Sequence, residues 1–185
     1  MINYSKQLIT KDDIKSVLKV LKSDYLTQGP KTKEFEKKIS KYCKSKFATC
    51  VSSATSGLHI SCLALGIKKN DVVWTSAISF VASANCASYC GAKIDFVDIS
   101  LENYNISIEI LEKKLIVAKK KNKIPKLIIL VHFAGLPCDL KKIYKLKKKY
   151  NFKIIEDASH ALGAKYYNNK IGSCSYSDLC VFSFH

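Results

Sequence analysis

Apolar residues in the first forty-odd positions recur at the spacing of a helix surface. Between residues 11 and 23, Ile14, Val17, Leu18 and Leu21 share one face, the three-to-four-residue recurrence of an amphipathic helix. Thr10 and Asp13 stand at its start with the spacing of a capping box. A turn at Thr27-Gln28-Gly29-Pro30 leads into a second helix over about 31–44, carrying Phe35, Ile39 and Tyr42. The pattern then changes. Short apolar runs at 47–51, 71–74, 94–97, 126–131 and 153–155 read as strands, with another at 179–184. Helical patterns fall between them at about 56–65, 79–90, 107–121 and 139–150. This alternation predicts an α/β fold, a mostly parallel sheet sandwiched by helices. The switch in pattern divides the chain into an N-terminal helical arm, 1–45, and an α/β domain, 46–185.

In such sheets ligands bind beyond the carboxyl ends of the strands. The segments leaving those ends are 52–57, 75–80, 132–135, 156–160 and 183–185, and all are expected at one edge. The first, Ser52-Ser53-Ala54-Thr55-Ser56-Gly57, is a hydroxyl-rich opening to a helix. Its N–H groups, with Thr55 and Ser56, suit an anion, although serine and threonine also serve there as ordinary caps. Glu156-Asp157 follows a buried strand. Such a carboxylate is either a solvated strand end or cap, the partner of a protonated pyridine nitrogen, or a magnesium ligand, with Asp98 as the candidate second acid. Phe80 reads equally as a core aromatic on the next helix or as a ring stacked on a flat cofactor.

Composition narrows the field. Hydrophobic residues make up 48% of the 185 positions, enough for a real core. The longest apolar runs are far shorter than a bilayer span, and residues 1–15 lack the apolar stretch of a secretory signal. A soluble cytoplasmic protein is therefore expected. The net charge of +16 invites a nucleic-acid reading. All 31 basic residues are lysine, however, whereas arginine is the usual reader of phosphate forks and guanine edges. Lysine scattered over solvated helix faces is the expectation, with no nucleic-acid partner and no membrane. None of the eight cysteines forms a Cys-x-x-Cys pair, and most lie in apolar segments; free thiols are expected rather than a metal site. The four histidines are not spaced as a metal set, and His59 receives no role. Dinucleotide, P-loop and hydrolase readings lack their glycine-rich loops or nucleophile elbow.

Segments 26–30, 53–58, 79–85, 131–135, 156–163 and 181–185 occur in an order that resembles the DegT–StrS family of sugar aminotransferases. They read LTQGP, SATSGL, SFVASAN, VHFAG, EDASHALG and VFSFH. The resemblance implies the large domain of the aspartate-aminotransferase fold and pyridoxal 5'-phosphate as cofactor. By position, Thr55 and Ser56 resemble the phosphate-binding helix start, with the Ser183 hydroxyl as a further phosphate ligand. Phe80 matches the ring stacked on the pyridine, Asp157 the partner of its nitrogen, and His160 the residue near its phenolic oxygen. Thr27 and Gly29 resemble the segment lining the sugar-nucleotide site. The wording is nearest to a branch that aminates C4 of a UDP-linked 4-keto-6-deoxy-N-acetyl sugar on the route to pseudaminic acid. L-glutamate as amino donor and a homodimer that builds each site from both subunits are also implied.

In that pattern the segment matching 183–185 is followed almost at once by the Schiff-base lysine. No lysine of this sequence occupies the position, and the sequence ends at His185. The expectation is a front portion of a longer enzyme that by itself does not transaminate. Two other readings stay open: a sugar dehydratase of the same family, with histidine at the lysine position, or a non-catalytic protein that binds cofactor or a partner.

Overall fold

A computed structural model describes residues 6–185. The helices are α1 (Lys11–Leu21), α2 (Pro30–Cys43), α3 (Ala54–Ala64), α4 (Ala82–Ser88), α5 (Ile108–Lys120) and α6 (Leu140–Tyr150). The strands are β1 (Val72–Ser76), β2 (Lys93–Val97), β3 (Leu127–Val131), β4 (Lys153–Asp157), β5 (Lys165–Tyr166), β6 (Asn169–Lys170) and β7 (Leu179–Val181). Helix ends follow local chemistry. At α1 the capping box is complete: Asp13 N–H donates to Thr10 Oγ1, and Thr10 N–H donates to Asp13 Oδ2 at 2.7 Å. Proline at the first position opens α2. The Asp139 carboxylate caps α6, which ends on Asn151 in the left-handed region.

Five strands form one parallel sheet in the order β2-β1-β3-β4-β7. Strand alternation sends successive side chains to opposite faces, and each face buries its own apolar layer. Val73, Leu127, Ile129 and Ile155 pack with Leu58 and Cys62 of α3 and with Ala82, Cys86 and Ala87 of α4. Trp74, Ile128, Leu130 and Ile154 pack with Leu111 and Leu115 of α5 and with Leu140, Ile143 and Leu146 of α6. Parallel strands covered on both faces read as continuous apolar runs, which explains Leu127–Val131. By contrast, α1 buries none of its residues. Among the described residues no helix is long and apolar enough to cross a membrane.

One expected strand is absent. Residues 47–51 form no backbone–backbone hydrogen bond with any described residue, and Phe47 and Val51 are exposed. Their hydrogen bonds are Cys50 N–H donating to the Glu36 carboxylate at 2.8 Å and the Ser45 hydroxyl donating to the Phe47 carbonyl at 3.0 Å. A strand exists only where a neighbour completes its ladder, and β7, the adjacent sheet edge, is paired on the β4 side alone. The hairpin β5–β6 is an addition that the apolar pattern did not signal. It turns at Tyr167, which has positive φ. Other boundaries shift with consequences for the site: α4 starts at Ala82, β4 runs on to Asp157, and β7 stops at Val181.

Candidate cofactor site

The extension of β4 sets the centre of the site. Asp157 is its last residue, paired in register with Val131 of β3 and Val181 of β7. It points to the face that carries α3 and α4, opposite its neighbour Glu156. Its side chain is only 5% exposed. The Ser83 hydroxyl, wholly buried on α4, donates to Asp157 Oδ2 at 2.6 Å. The Ser159 hydroxyl donates to Oδ1 at 2.7 Å. Both partners are neutral. In a chain of 31 lysines, none of the described cations forms an ion pair with this buried carboxylate. A buried anion without a counter-charge is costly unless a cation completes it, so the arrangement suits a positively charged group delivered by a ligand.

An anion-binding end lies at the same sheet edge. Ser53 caps α3, accepting the Ser56 N–H at 3.1 Å, and Ser52 and Ser53 both exchange hydrogen bonds with the Ser56 hydroxyl. The N–H groups of Ala54 and Thr55 and the Thr55 hydroxyl take no partner among the described residues. Free first-turn donors with the helix dipole behind them favour a phosphate. Glycine at position 57 lets α3 reach the strand ends: a Cβ there would stand 3.0 Å from Val181 Cγ1. That close approach brings the α3 start beside β7 and hence beside Ser183. The Ser183 hydroxyl accepts only the His185 N–H, at 3.3 Å.

Phe80 stands ahead of α4 and is 72% exposed, which removes the core-aromatic reading. It is tied to the Asp157 contact, because Ser83 N–H donates to the Phe80 carbonyl at 3.0 Å. His160 is exposed, and its side chain makes no hydrogen bond. Its backbone carbonyl is fixed: Gly135 has φ +85°, and a Cβ at Gly135 would lie 2.7 Å from that oxygen. Thr27 is exposed and Gly29 caps α2; no hydrogen bond links either to the Asp157 group. Helix α2 does reach this edge, where Phe35 meets Phe184 edge-on at 5.0 Å.

Sequence reasoning missed the polar layer under the opposite face. Glu156 is 2% exposed and His132 is 1% exposed. His132 Nε2 lies 2.7 Å from Glu156 Oε2, the Ser177 hydroxyl donates to Glu156 Oε1, and Cys138 N–H donates to His132 Nδ1 at 3.1 Å. An Nδ1 that accepts a hydrogen bond carries no proton, so the ring is the neutral Nε2–H tautomer donating to the carboxylate. Nearby, burial together with the Glu156 charge pushes the Cys180 thiol well up, keeping it protonated beside β4. Ser83 and Ser159 were also unassigned. Ser83 lies 74 positions from Asp157, and no local pattern signals such a pair.

Fold and site together define an α/β protein that presents a helix start for a phosphate and, at the same strand edge, an unneutralised carboxylate for a cation. The chain belongs to the DegT/DnrJ/EryC1/StrS aminotransferase family, whose sequence model matches residues 7–185. It is 43% identical, over its full length and 47% of the relative's, to a Campylobacter jejuni UDP-4-amino-4,6-dideoxy-N-acetyl-beta-L-altrosamine transaminase. Helicobacter pylori PseC, an aminotransferase involved in pseudoaminic acid biosynthesis, superposes with a TM-score of 0.87 at 35% identity. That match covers 99% of this chain and 47% of PseC. Streptococcus pneumoniae Spr1654, assigned as a sugar aminotransferase and solved in apo, PMP and PLP forms, matches with a TM-score of 0.87 at 30% identity. It covers all of this chain and 48% of the Spr1654 chain in the apo and PMP forms. The chain spans about half the length of the curated relatives it matches.

Proposed function

We propose that this chain is the cofactor-holding portion of a pyridoxal-phosphate-dependent sugar-nucleotide aminotransferase. The full-length protein moves an amino group from an amino acid, L-glutamate, to a UDP-linked 4-keto-6-deoxy-N-acetyl sugar in pseudaminic acid formation. The single observation that carries the reading is Asp157, a buried carboxylate at a strand end with two hydroxyl donors and no ion pair to any cation among the described residues. A pyridinium nitrogen is the counter-charge it lacks. The names of the Campylobacter and Helicobacter relatives support the sugar and the pathway.

The residues divide the work. Thr55 and Ser56, with the free N–H groups of the α3 start, hold the phosphate, and the Ser183 hydroxyl adds a donor. Phe80 covers one face of the ring, and its exposed position leaves it available for stacking. Asp157 keeps the ring nitrogen protonated, and His160 reaches the phenolic oxygen. Bound there, the cofactor supplies an electron sink for the carbon that gains or loses the amino group. Thr27 and Gly29 line the sugar-nucleotide side. The protein acts in the cytoplasm as a homodimer, in keeping with nucleotide-sugar chemistry and with the exposed apolar residues of α1, Ile14, Val17, Leu18 and Leu21.

Pyridoxamine 5'-phosphate tests the reading, because it binds without any covalent link to lysine. Titrated into the purified protein, it is expected to bind saturably. Asp157→Ala should weaken that binding by about tenfold or more, the loss of one charge-assisted contact. No saturable binding, or unchanged binding by Asp157→Ala, would refute it.

A further inference from the structure

The contact that fixes Asp157 comes from the first turn of α4, which begins just after Phe80. Ser83 is wholly buried. Its hydroxyl donates to Asp157 Oδ2 at 2.6 Å, while its N–H donates to the Phe80 carbonyl at 3.0 Å. One residue therefore joins the group that covers the ring face to the group that meets the ring nitrogen. Ser159 completes the arrangement from β4's own side: its hydroxyl and its N–H both donate to Asp157 Oδ1, at 2.7 and 3.3 Å. The carboxylate is thus held at both oxygens, by two segments of the chain. Holding a site in its productive geometry from a packed shell is what separates a precise site from a loose one.

We propose that Ser83 and Ser159 are positioning residues for the cofactor ring, with Ser83 setting the separation between the Phe80 face contact and the Asp157 nitrogen contact. This rests on the proposed function. Neither residue contacts the reacting carbon in this account; both act through Asp157. With Ser83 Oγ on Oδ2 and Ser159 on Oδ1, the carboxylate plane is fixed from both sides. Without Ser83 Oγ, the carboxylate can rotate and take more of the ring proton, and the α4 start is released from β4.

The test uses pyridoxamine 5'-phosphate labelled with 15N at the ring nitrogen, bound to the unsubstituted protein and to Ser83→Ala, Ser83→Thr and Ser159→Ala. Affinity is read by titration and the ring-nitrogen state by NMR; circular dichroism and thermal melting report folding. Ser83→Ala is expected to weaken binding roughly tenfold, because an Asp157 freed to rotate meets the ring nitrogen less well. It should also move the ring-nitrogen resonance toward its unprotonated position. Ser83→Thr, which keeps the hydroxyl, should restore both, and a merely structural role would leave the resonance where it was. If Ser83→Ala does not fold, Ser159→Ala carries the same two readouts, and an unchanged resonance and affinity there overturns the proposal. A folded Ser83→Ala with unsubstituted affinity and resonance overturns it too, while leaving the proposed function intact. Failure of the unsubstituted protein to bind the probe overturns both.

Discussion

Replacing Glu156 by glutamine and His132 by alanine separates two accounts of the buried contact between β3 and β4. The pair sits at 2.7 Å with both side chains excluded from water, and it looks like an ion pair. The Cys138 N–H donated to His132 Nδ1 at 3.1 Å argues otherwise: the ring is neutral, and the contact is one N–H donated to a carboxylate. Glutamine in place of Glu156 keeps the shape and can still accept from His132 Nε2–H while its amide turns to Ser177. Only charge assistance is lost, at about 1 kcal/mol or less. Were His132 a cation, the same change would strand a buried charge and cost about 3–5 kcal/mol. His132→Ala is expected to be severe under either account. It leaves the buried Glu156 carboxylate with Ser177 alone and orphans the Cys138 N–H, together about 3–5 kcal/mol, a large share of a domain's stability. Urea unfolding at neutral pH measures both. An Glu156→Gln loss as large as that of His132→Ala would refute the neutral-ring assignment. A His132→Ala loss near zero would refute the claim that this layer holds β3 and β4 in place.

Two further outcomes follow from the same geometry. Burial raises the Asp178 carboxyl, but hydrogen bonds from Lys147 and Ile154 N–H, with the charges of Lys147 and Lys153, outweigh that and hold it below its ordinary 3.8. A folded-state value depressed in this way adds stability above the ordinary value and loses it as pH falls through the lower one. Asp178→Asn should therefore be less stable than the unsubstituted protein near neutrality, and the gap should close below about pH 4 in paired thermal melts. At Gly135, alanine meets both a left-handed φ of +85° and the His160 carbonyl at 2.7 Å. A cost of about 1–3 kcal/mol is expected, with weaker pyridoxamine 5'-phosphate binding; unchanged melting and affinity would show that the 158–160 segment is not held by this contact.

Local chemistry was readable directly. Thr10 and Asp13 form their capping box because every atom involved lies within one turn. Leu127–Val131 is a buried central strand because only a sequence apolar at successive positions satisfies two covered faces. The strand-end rule placed Asp157 and the α3 start at one edge, since connections in a parallel sheet return the chain to the same end each time. Wherever a partner lay far along the chain, the sequence alone was silent. Residues 47–51 have strand composition yet no ladder, because a strand's hydrogen bonds belong to its neighbour and none is present beside them. Phe80 was ambiguous until α4 was seen to start after it. The donors that fix Asp157, the tautomer of His132 and the lack of a counter-charge to Asp157 among the described residues are facts about which side chains meet in space. The sequence by itself thus determined most of the helices and central strands and the edge at which those strands end, but neither the unpaired 47–51 segment nor the β5–β6 hairpin. The tertiary structure decided which groups at that edge are satisfied by the protein and which wait for a ligand, because burial and pairing are properties of assembled surfaces rather than of segments.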